Sequence, residues 1–205
     1  MYSGLSDILC VTNRLLCGEP FLTRIERLAR AKPAGIILRE KNLTPEAYKK
    51  LAGEVLCICK TYDVPCILHS FVQVSAELGC RAIHLPLPRL LALNEAEKTY
   101  FSVIGASCHS REEARAAQQA GCTYITAGHV FDTGCKKGLP GRGTDFLREI
   151  CACAFVPVYA IGGITPERMA EVYEAGAAGA CVMSAAMECR DAEAYLSKFG
   201  RRPRA

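Results

Sequence analysis

Val158 to Met183 reads VYAIGGITPERMAEVYEAGAAGACVM. Val158 to Ile161 is a short apolar run of the kind that makes a buried strand. Two glycines follow. Thr165-Pro166 then supplies a helix cap and a first helical position. Helical spacing continues to Ala175, and Gly176 stops it. Ala180 to Met183 is a second apolar run. Both runs are apolar at every position, so both faces of each strand are buried. Two such strands joined by a helix pair in parallel through a crossover.

Reading outward, the same unit recurs towards the N-terminus. Asp7 to Thr12 is a strand, and Phe21 to Ala31 a helix ending before Pro33. Gly35 to Leu38 is a strand, followed by a helix capped by Thr44 and running to about Tyr62. Cys66 to Leu68 is a strand ending at His69, and Val72 to Leu78 a helix stopped by Gly79. Ala82 to Leu85 is a strand ending at Pro86, with a weak helical piece over Asn94 to Tyr100. Val103 to Ser107 is followed by a helix over Arg111 to Ala120, and Tyr124 to Ala127 by a helix over Thr144 to Cys153. Beyond the quoted stretch, VMSAAM reads as a short helical turn, and Asp191 to Phe199 as the closing helix. Eight strands alternating with helices, at about 25 residues per unit, predict a single (β/α)8 TIM barrel. An open doubly wound sheet is the alternative, and it needs fewer strands. No break in composition marks a second domain. One domain over residues 1–205 is expected, with a short basic tail from about 200 to 205.

The bulk numbers agree. Of 205 residues, 50% are hydrophobic and 22% charged, which excludes a disordered chain. The net charge of +4 includes three arginines of the terminal RRPRA, too weak a bias to argue for nucleic acid. No apolar run approaches the ~18 residues of a membrane span. MYSGLSDILC lacks the basic head and long apolar stretch of a signal peptide. The 13 cysteines have irregular spacing, without the C-x2-C pairs of a zinc frame. Most lie in or beside apolar runs, where cysteine packs as a small hydrophobe. A reducing cytoplasm, free thiols and no metal are expected.

In such barrels the active site lies at the C-terminal strand ends. The residues found there are Arg39 and Lys41, His69 and Ser70, Pro86, and Ser107 and His109. His129, Thr133 and Lys136 follow the sixth strand, Gly162 and Gly163 the seventh, Ser184 and Ala185 the eighth. Arg, Lys, Ser and His together suit an anionic ligand and a proton-transfer step. The loops after strands seven and eight form the usual phosphate site of this fold. The pair Gly162-Gly163 and the turn at Ser184-Ala185 are its candidate halves. The alternative is that the glycines only make a turn. Among the histidines, His84 lies within a strand as a core or wall residue. His109 is placed to cap a helix, and His69 either lines the wall or meets ligand. His129, after Gly128, is the best placed for acid–base work. Cys135 has no base paired with it in sequence.

LREK at Leu38–Lys41, GASCHS at Gly105–Ser110, AGHVFDTGCKKGLPGRG, and AIGGITPERM with VMSAA together resemble the thiamine phosphate synthase superfamily. The resemblance runs in order along nearly the whole chain. It implies a barrel of the thiamine pathway and a thiazole phosphate as small-molecule ligand. It also implies self-association into a homo-oligomer. One branch, thiamine phosphate synthase, joins a pyrimidine diphosphate to a thiazole phosphate with Mg²⁺. Its Asn-Asp pair after strand three is His69-Ser70 here. Its Gly-Gln-Glu-Asp run after strand four is Pro86-Leu87-Pro88-Arg89, and a Gln of that branch is Ile37. The loop GHVFDTGCKKGLPGRG is similar to that of the TenI-type thiazole tautomerases. That similarity implies an isomerase without metal or other cofactor, aromatising a carboxythiazole phosphate with His129 as proton carrier. Gly162, Gly163, Ser184 and Ala185 would then hold phosphate. Arg39, Lys41, Ser107, Thr133 and Lys136 would line the substrate, and Cys135 remains a second proton donor. The alternatives are the synthase itself, a transferase, or a non-catalytic relative that only binds thiazole phosphate.

Overall fold

The structure, a computed structural model, describes residues 7–134 and 138–199. Eight strands close into a barrel in the order β1 to β8. They are β1 Ile8–Val11, β2 Gly35–Leu38, β3 Cys66–His69, β4 Ala82–Pro86, β5 Val103–Cys108, β6 Tyr124–Gly128, β7 Val158–Ile161 and β8 Gly179–Val182. The pairings β1–β2, β2–β3, β5–β6, β6–β7 and β7–β8 are all parallel. This is the (β/α)8 TIM barrel that the alternation predicts, and the open sheet is excluded.

The helices are α1 Phe21–Arg30, α2 Pro45–Thr61, α3 Val72–Glu77, α4 Leu87–Leu91, α5 Glu95–Tyr100, α6 Arg111–Gln119, α7 Gly143–Cys153, α8 Met169–Glu174, α9 Ser184–Glu188 and α10 Ala192–Leu196. Thr44 caps α2 by accepting from the Ala47 amide at 3.3 Å. Asn94 caps α5 in a reciprocal box with Glu97, with bonds of 2.9 Å each way. Three local expectations change. The sequence reading places no helix between Pro86 and Asn94, yet Leu87–Leu91 is helical as α4. Pro88 sits in the first turn, where its missing N–H has no partner to lose. Ser110, rather than His109, caps α6, accepting from the Glu113 amide at 3.2 Å. Thr165 sits at the cap of a 3-10 turn over Pro166–Arg168, but its side chain makes no cap hydrogen bond.

The chain divides into two compact units. Among the described residues, one comprises 7–83 and 182–199, the other 84–181. In the first, every residue of β1, β2 and β3 is buried, as continuous apolar strands require. Tyr48 of α2 is fully buried there. Its hydroxyl donates to the Leu38 carbonyl at 2.7 Å and accepts the His69 amide at 2.9 Å. In the second unit Leu85, Ile125 and Ala160 are completely buried, with α6 and α7 supplying Ala114, Ala117, Leu147 and Ile150.

The described cysteines are all free thiols. Cys108 and Cys122 are buried, and burial pushes their pKa values up to about 12 and about 11. Cys66 is raised well above the usual thiol range, first by its hydrogen bond with Cys59 and then by burial. These thiols stay protonated and pack as apolar groups.

Candidate functional site

In the second unit, the loops after β6 and β7 are zipped together beyond the ends of their strands. Gly128 pairs with Ile161 in the sheet. The Val130 amide then donates to the Ile161 carbonyl at 2.9 Å, and the Phe131 amide to the Gly162 carbonyl at 3.0 Å. Gly162 has φ +99 and Gly163 φ +64, backbone that favours glycine. Space requires glycine as well. A Cβ on Gly162 would land on the Cα and Cβ of His129, and one on Gly163 on the Asp132 carbonyl and Phe131. Packing against the β6 loop is therefore sufficient reason for both glycines.

Arg168 locks the two loops from outside. Its Nη1 donates to the Gly163 carbonyl at 2.9 Å, and its guanidinium lies 4.4 Å from the Phe131 ring centre. The far end of the β6 loop folds back on its beginning. The Gly141 amide donates to Asp132 Oδ1 at 2.7 Å, the Arg142 amide to the His129 carbonyl at 3.1 Å, and the Gly143 amide to the Val130 carbonyl at 2.8 Å.

His129 is half-buried, and its Nε2 lies 3.2 Å from the Leu139 carbonyl oxygen. A carbonyl only accepts, so that nitrogen carries a proton and donates it to the loop. His109 is exposed, and its Nδ1–H donates to the Gly128 carbonyl at 2.7 Å. Thr133 is half-buried in the same loop. Cys135 and Lys136 lie outside the described residues.

Ser107 is half-buried at the C-terminal end of β5. Its hydroxyl lies 2.8 Å from Nε2 of His84, which is 3% exposed. His84 Nδ1 lies 2.9 Å from the Tyr124 hydroxyl. His84 was expected in the wall or core, and it is there. Its tie to Ser107, and the parts of Tyr124 and Thr126 in that cluster, escape sequence reasoning. The one available signal is a polar residue at every second position of β6 in an otherwise apolar strand.

In the first unit, Glu40 follows β2 and is 2% exposed. It accepts the Thr12 hydroxyl at 2.6 Å and the Arg14 amide at 3.0 and 3.1 Å. Thr12 Oγ1 in turn accepts the Arg39 amide at 2.9 Å. The carboxylate thus ties the loop after β1 to the one after β2 and fixes the backbone that carries Arg39, which is half-buried, and Lys41, which is exposed. Ser184 is half-buried at the start of α9, beside exposed Ala185.

The resemblance to the synthase branch implies Mg²⁺, and the residues present do not fit it. Mg²⁺ takes hard oxygen donors, mainly carboxylates. After β3 stand His69, 4% exposed, and Ser70, whose hydroxyl lies 2.8 Å from His69 Nδ1. After β4 the chain turns directly into α4 through Pro86-Leu87-Pro88-Arg89. Among the described residues, no group of three or more His, Cys, Asp or Glu is arranged to hold a metal.

A family model described as thiamine monophosphate synthase matches residues 8–186. The chain belongs to that family. Thiamine-phosphate synthase 2 of Streptococcus pneumoniae (serotype 4) is 31% identical over 192 residues, 92% of this chain and 91% of the relative. The thiamine-phosphate synthase of Syntrophomonas wolfei is 31% identical over 200 residues, 94% of each chain. The solved structure of thiamine phosphate pyrophosphorylase from Pyrococcus furiosus superposes with a TM-score of 0.79 at 25% identity, covering 94% of this chain and 92% of that one.

These relatives overturn the expectation of a thiazole tautomerase. They are named as synthases and a pyrophosphorylase, and none as a tautomerase or other isomerase. The isomerase reading rested on one loop, part of which lies outside the described residues, and on departures from the synthase pattern at Ile37 and after β3 and β4, whereas the synthase likeness spans nearly the whole chain. The acid–base role assigned to His129 for that reaction falls with it. In its place stands an enzyme family of thiamine biosynthesis. No helix among the described residues is long and apolar enough to cross a membrane.

Proposed function

We propose that this chain is a transferase of thiamine biosynthesis. It would join a pyrimidine diphosphate to a thiazole phosphate, releasing diphosphate and forming thiamine phosphate. The observation that carries this reading is the similarity to thiamine-phosphate synthases over more than nine-tenths of the chain. Supporting it are the polar groups that follow their strands. The proposed phosphate contacts are the Gly162–Gly163 backbone in the second unit and the Ser184–Ala185 turn in the first, each taken by itself. Arg39 and Lys41 of the first unit, Ser107 and Thr133 of the second, and Lys136 are the proposed substrate-binding residues, their charges and hydroxyls suited to phosphorylated substrates. In the second unit His129 is proposed as a wall residue, with its Nε2 proton engaged by Leu139. The ligand is a small molecule, and the chain is proposed to act as a homo-oligomeric, cytoplasmic, single-domain enzyme.

The test is formation of thiamine phosphate from the two precursors, followed by thiochrome fluorescence. It is run with Mg²⁺ and with EDTA. Turnover above a no-protein control is the expected result. A second reading has one observation in its favour: the carboxylates that would hold Mg²⁺ are replaced after β3 and β4. On that reading the chain binds thiazole phosphate without turning it over. Micromolar binding with no product selects the second reading, and neither binding nor product overturns both.

A further inference from the structure

The interior of the second unit holds an unusual polar column. Gly105 pairs with Tyr124, and Ser107 with Thr126, across β5 and β6. Residues two apart on a strand share a face, so these pairs form two successive layers. His84 of β4 bridges them. Its Nδ1 reaches Tyr124 Oη at 2.9 Å in one layer. Its Nε2 reaches Ser107 Oγ at 2.8 Å and Thr126 Oγ1 at 3.5 Å in the next. His84 and Thr126 are each 3% exposed and Tyr124 6%, while Ser107 is half-buried towards the strand's C-terminal end.

The interior layers of such barrels are ordinarily branched aliphatic. A buried imidazole with buried hydroxyls is costly unless each is hydrogen-bonded. The strand also gives up a side chain to seat them. Gly105 has a backbone that any residue can adopt, yet a Cβ there would overlap Tyr124 Cζ, its hydroxyl and His84 Nδ1. Gly105 is a glycine for room.

We propose that His84 is a positioning residue. Tyr124 and His84 form a relay that holds the Ser107 hydroxyl with its proton directed at an anionic ligand beyond the end of β5. A neutral imidazole has one donor and one acceptor nitrogen. If the Tyr124 hydroxyl donates to Nδ1, then Nε2–H donates to Ser107 Oγ. That bond occupies a lone pair and leaves the serine proton for the ligand. The opposite polarity spends the serine proton on Nε2 and presents only lone pairs, which an anion repels. The phenol is the more acidic hydroxyl, with an ordinary pKa near ~10, and so the better donor to imidazole. The relay therefore runs from Tyr124 through His84 to Ser107. It needs no charge and no metal to present a donor.

This inference rests on the proposed phosphate-bearing ligand, so two readouts separate the ideas. The first is binding of inorganic diphosphate in EDTA, by calorimetry, to the wild type, Ser107→Ala, Tyr124→Phe and the double variant. Ser107→Ala is expected to weaken binding by about tenfold, the worth of a hydrogen bond to a charged group. Tyr124→Phe should weaken binding in the wild-type background and have no further effect once Ser107 is alanine. An equal Tyr124→Phe effect in both backgrounds overturns the relay. The second readout is the ¹⁵N NMR signature of the wild-type His84 ring, which requires no ligand. Protonated Nε2 with accepting Nδ1 is expected, and the reverse tautomer overturns the proposal. If the wild type binds no diphosphate, the functional reading fails, and the tautomer still decides the relay.

Discussion

Replacing Gly105 with alanine measures how tightly the barrel interior is built around the His84–Tyr124 pair. The backbone at this position suits alanine, so on conformational grounds the change would stabilise by about 0.5–1 kcal/mol. The added Cβ instead falls well inside 3.0 Å of Tyr124 Cζ, Tyr124 Oη and His84 Nδ1. Tyr124 has little room to yield, since it is 6% exposed and its ring meets Tyr159 edge-on with centroids 5.8 Å apart. Overpacking of this kind costs about 1–3 kcal/mol. Displacing the ring also breaks the 2.9 Å bond to His84, worth about 1 kcal/mol. Less the backbone gain, the net loss is on the order of 1–3.5 kcal/mol, or roughly 2–14 °C in Tm for a chain of this size. Urea denaturation followed by circular dichroism reads it. Gly53→Ala in α2 is the control, because nothing lies within 4 Å of its Cβ; it should stabilise by up to about 1 kcal/mol. Removing the obstructing ring with Tyr124→Ala should make Gly105→Ala much less damaging in that background. A Gly105→Ala protein within about 0.5 kcal/mol of wild type would refute the steric reasoning.

Three further outcomes are expected. Arg168→Ala removes the bond to Gly163 and the cover over Phe131, so it should cost about 1–2 kcal/mol in chemical denaturation and weaken diphosphate binding. Arg168→Lys should not restore either, lacking the planar fork. Glu40→Gln puts an amide where Thr12 and Arg14 both donate, and should destabilise by about 1.5–3 kcal/mol on the same assay. The pH dependence follows from the thiols. Cys108 and Cys122 have folded pKa values raised to about 12 and about 11, above the ordinary thiol value. Folded protein then holds protons that unfolded chain has lost. Stability is full below about pH 8.5 and falls as pH rises towards the folded values. Tm measured from pH 8 to 11 should decline, and Cys108→Ala should flatten the decline.

Much of the barrel was legible because burial and turn chemistry are local. GIIL of β2 and CILH of β3 are apolar on both faces and are buried on both. Thr44 caps its helix through a bond that spans only three residues. Where local chemistry was ambiguous, reading failed. The sequence reading omits the short α4 between Pro86 and Asn94, and Thr165 has the residue type of a cap without the bond. The candidate site was partly legible. The positions after the strands could be named, but not that Gly162 and Gly163 are also required by packing. Their missing Cβ atoms would collide with His129, Phe131 and Asp132, residues of another loop. One distinctive loop and the missing carboxylates after β3 and β4 drew the functional reading towards isomerisation, against a likeness to synthases spread over nearly the whole chain.

What the sequence determined by itself is the repeat of buried strand and helix, and with it a closed parallel barrel. Hydrophobic pattern records which faces leave water, and eight such strands have one economical closure. Only the tertiary structure decided which polar groups meet. His84 and Ser107 are 23 residues apart, and Thr12 and Glu40 28 apart. Nothing local to either partner marks the other. Their pairing depends on how parallel strands register around the barrel, a property of the closed sheet that no single stretch of chain contains.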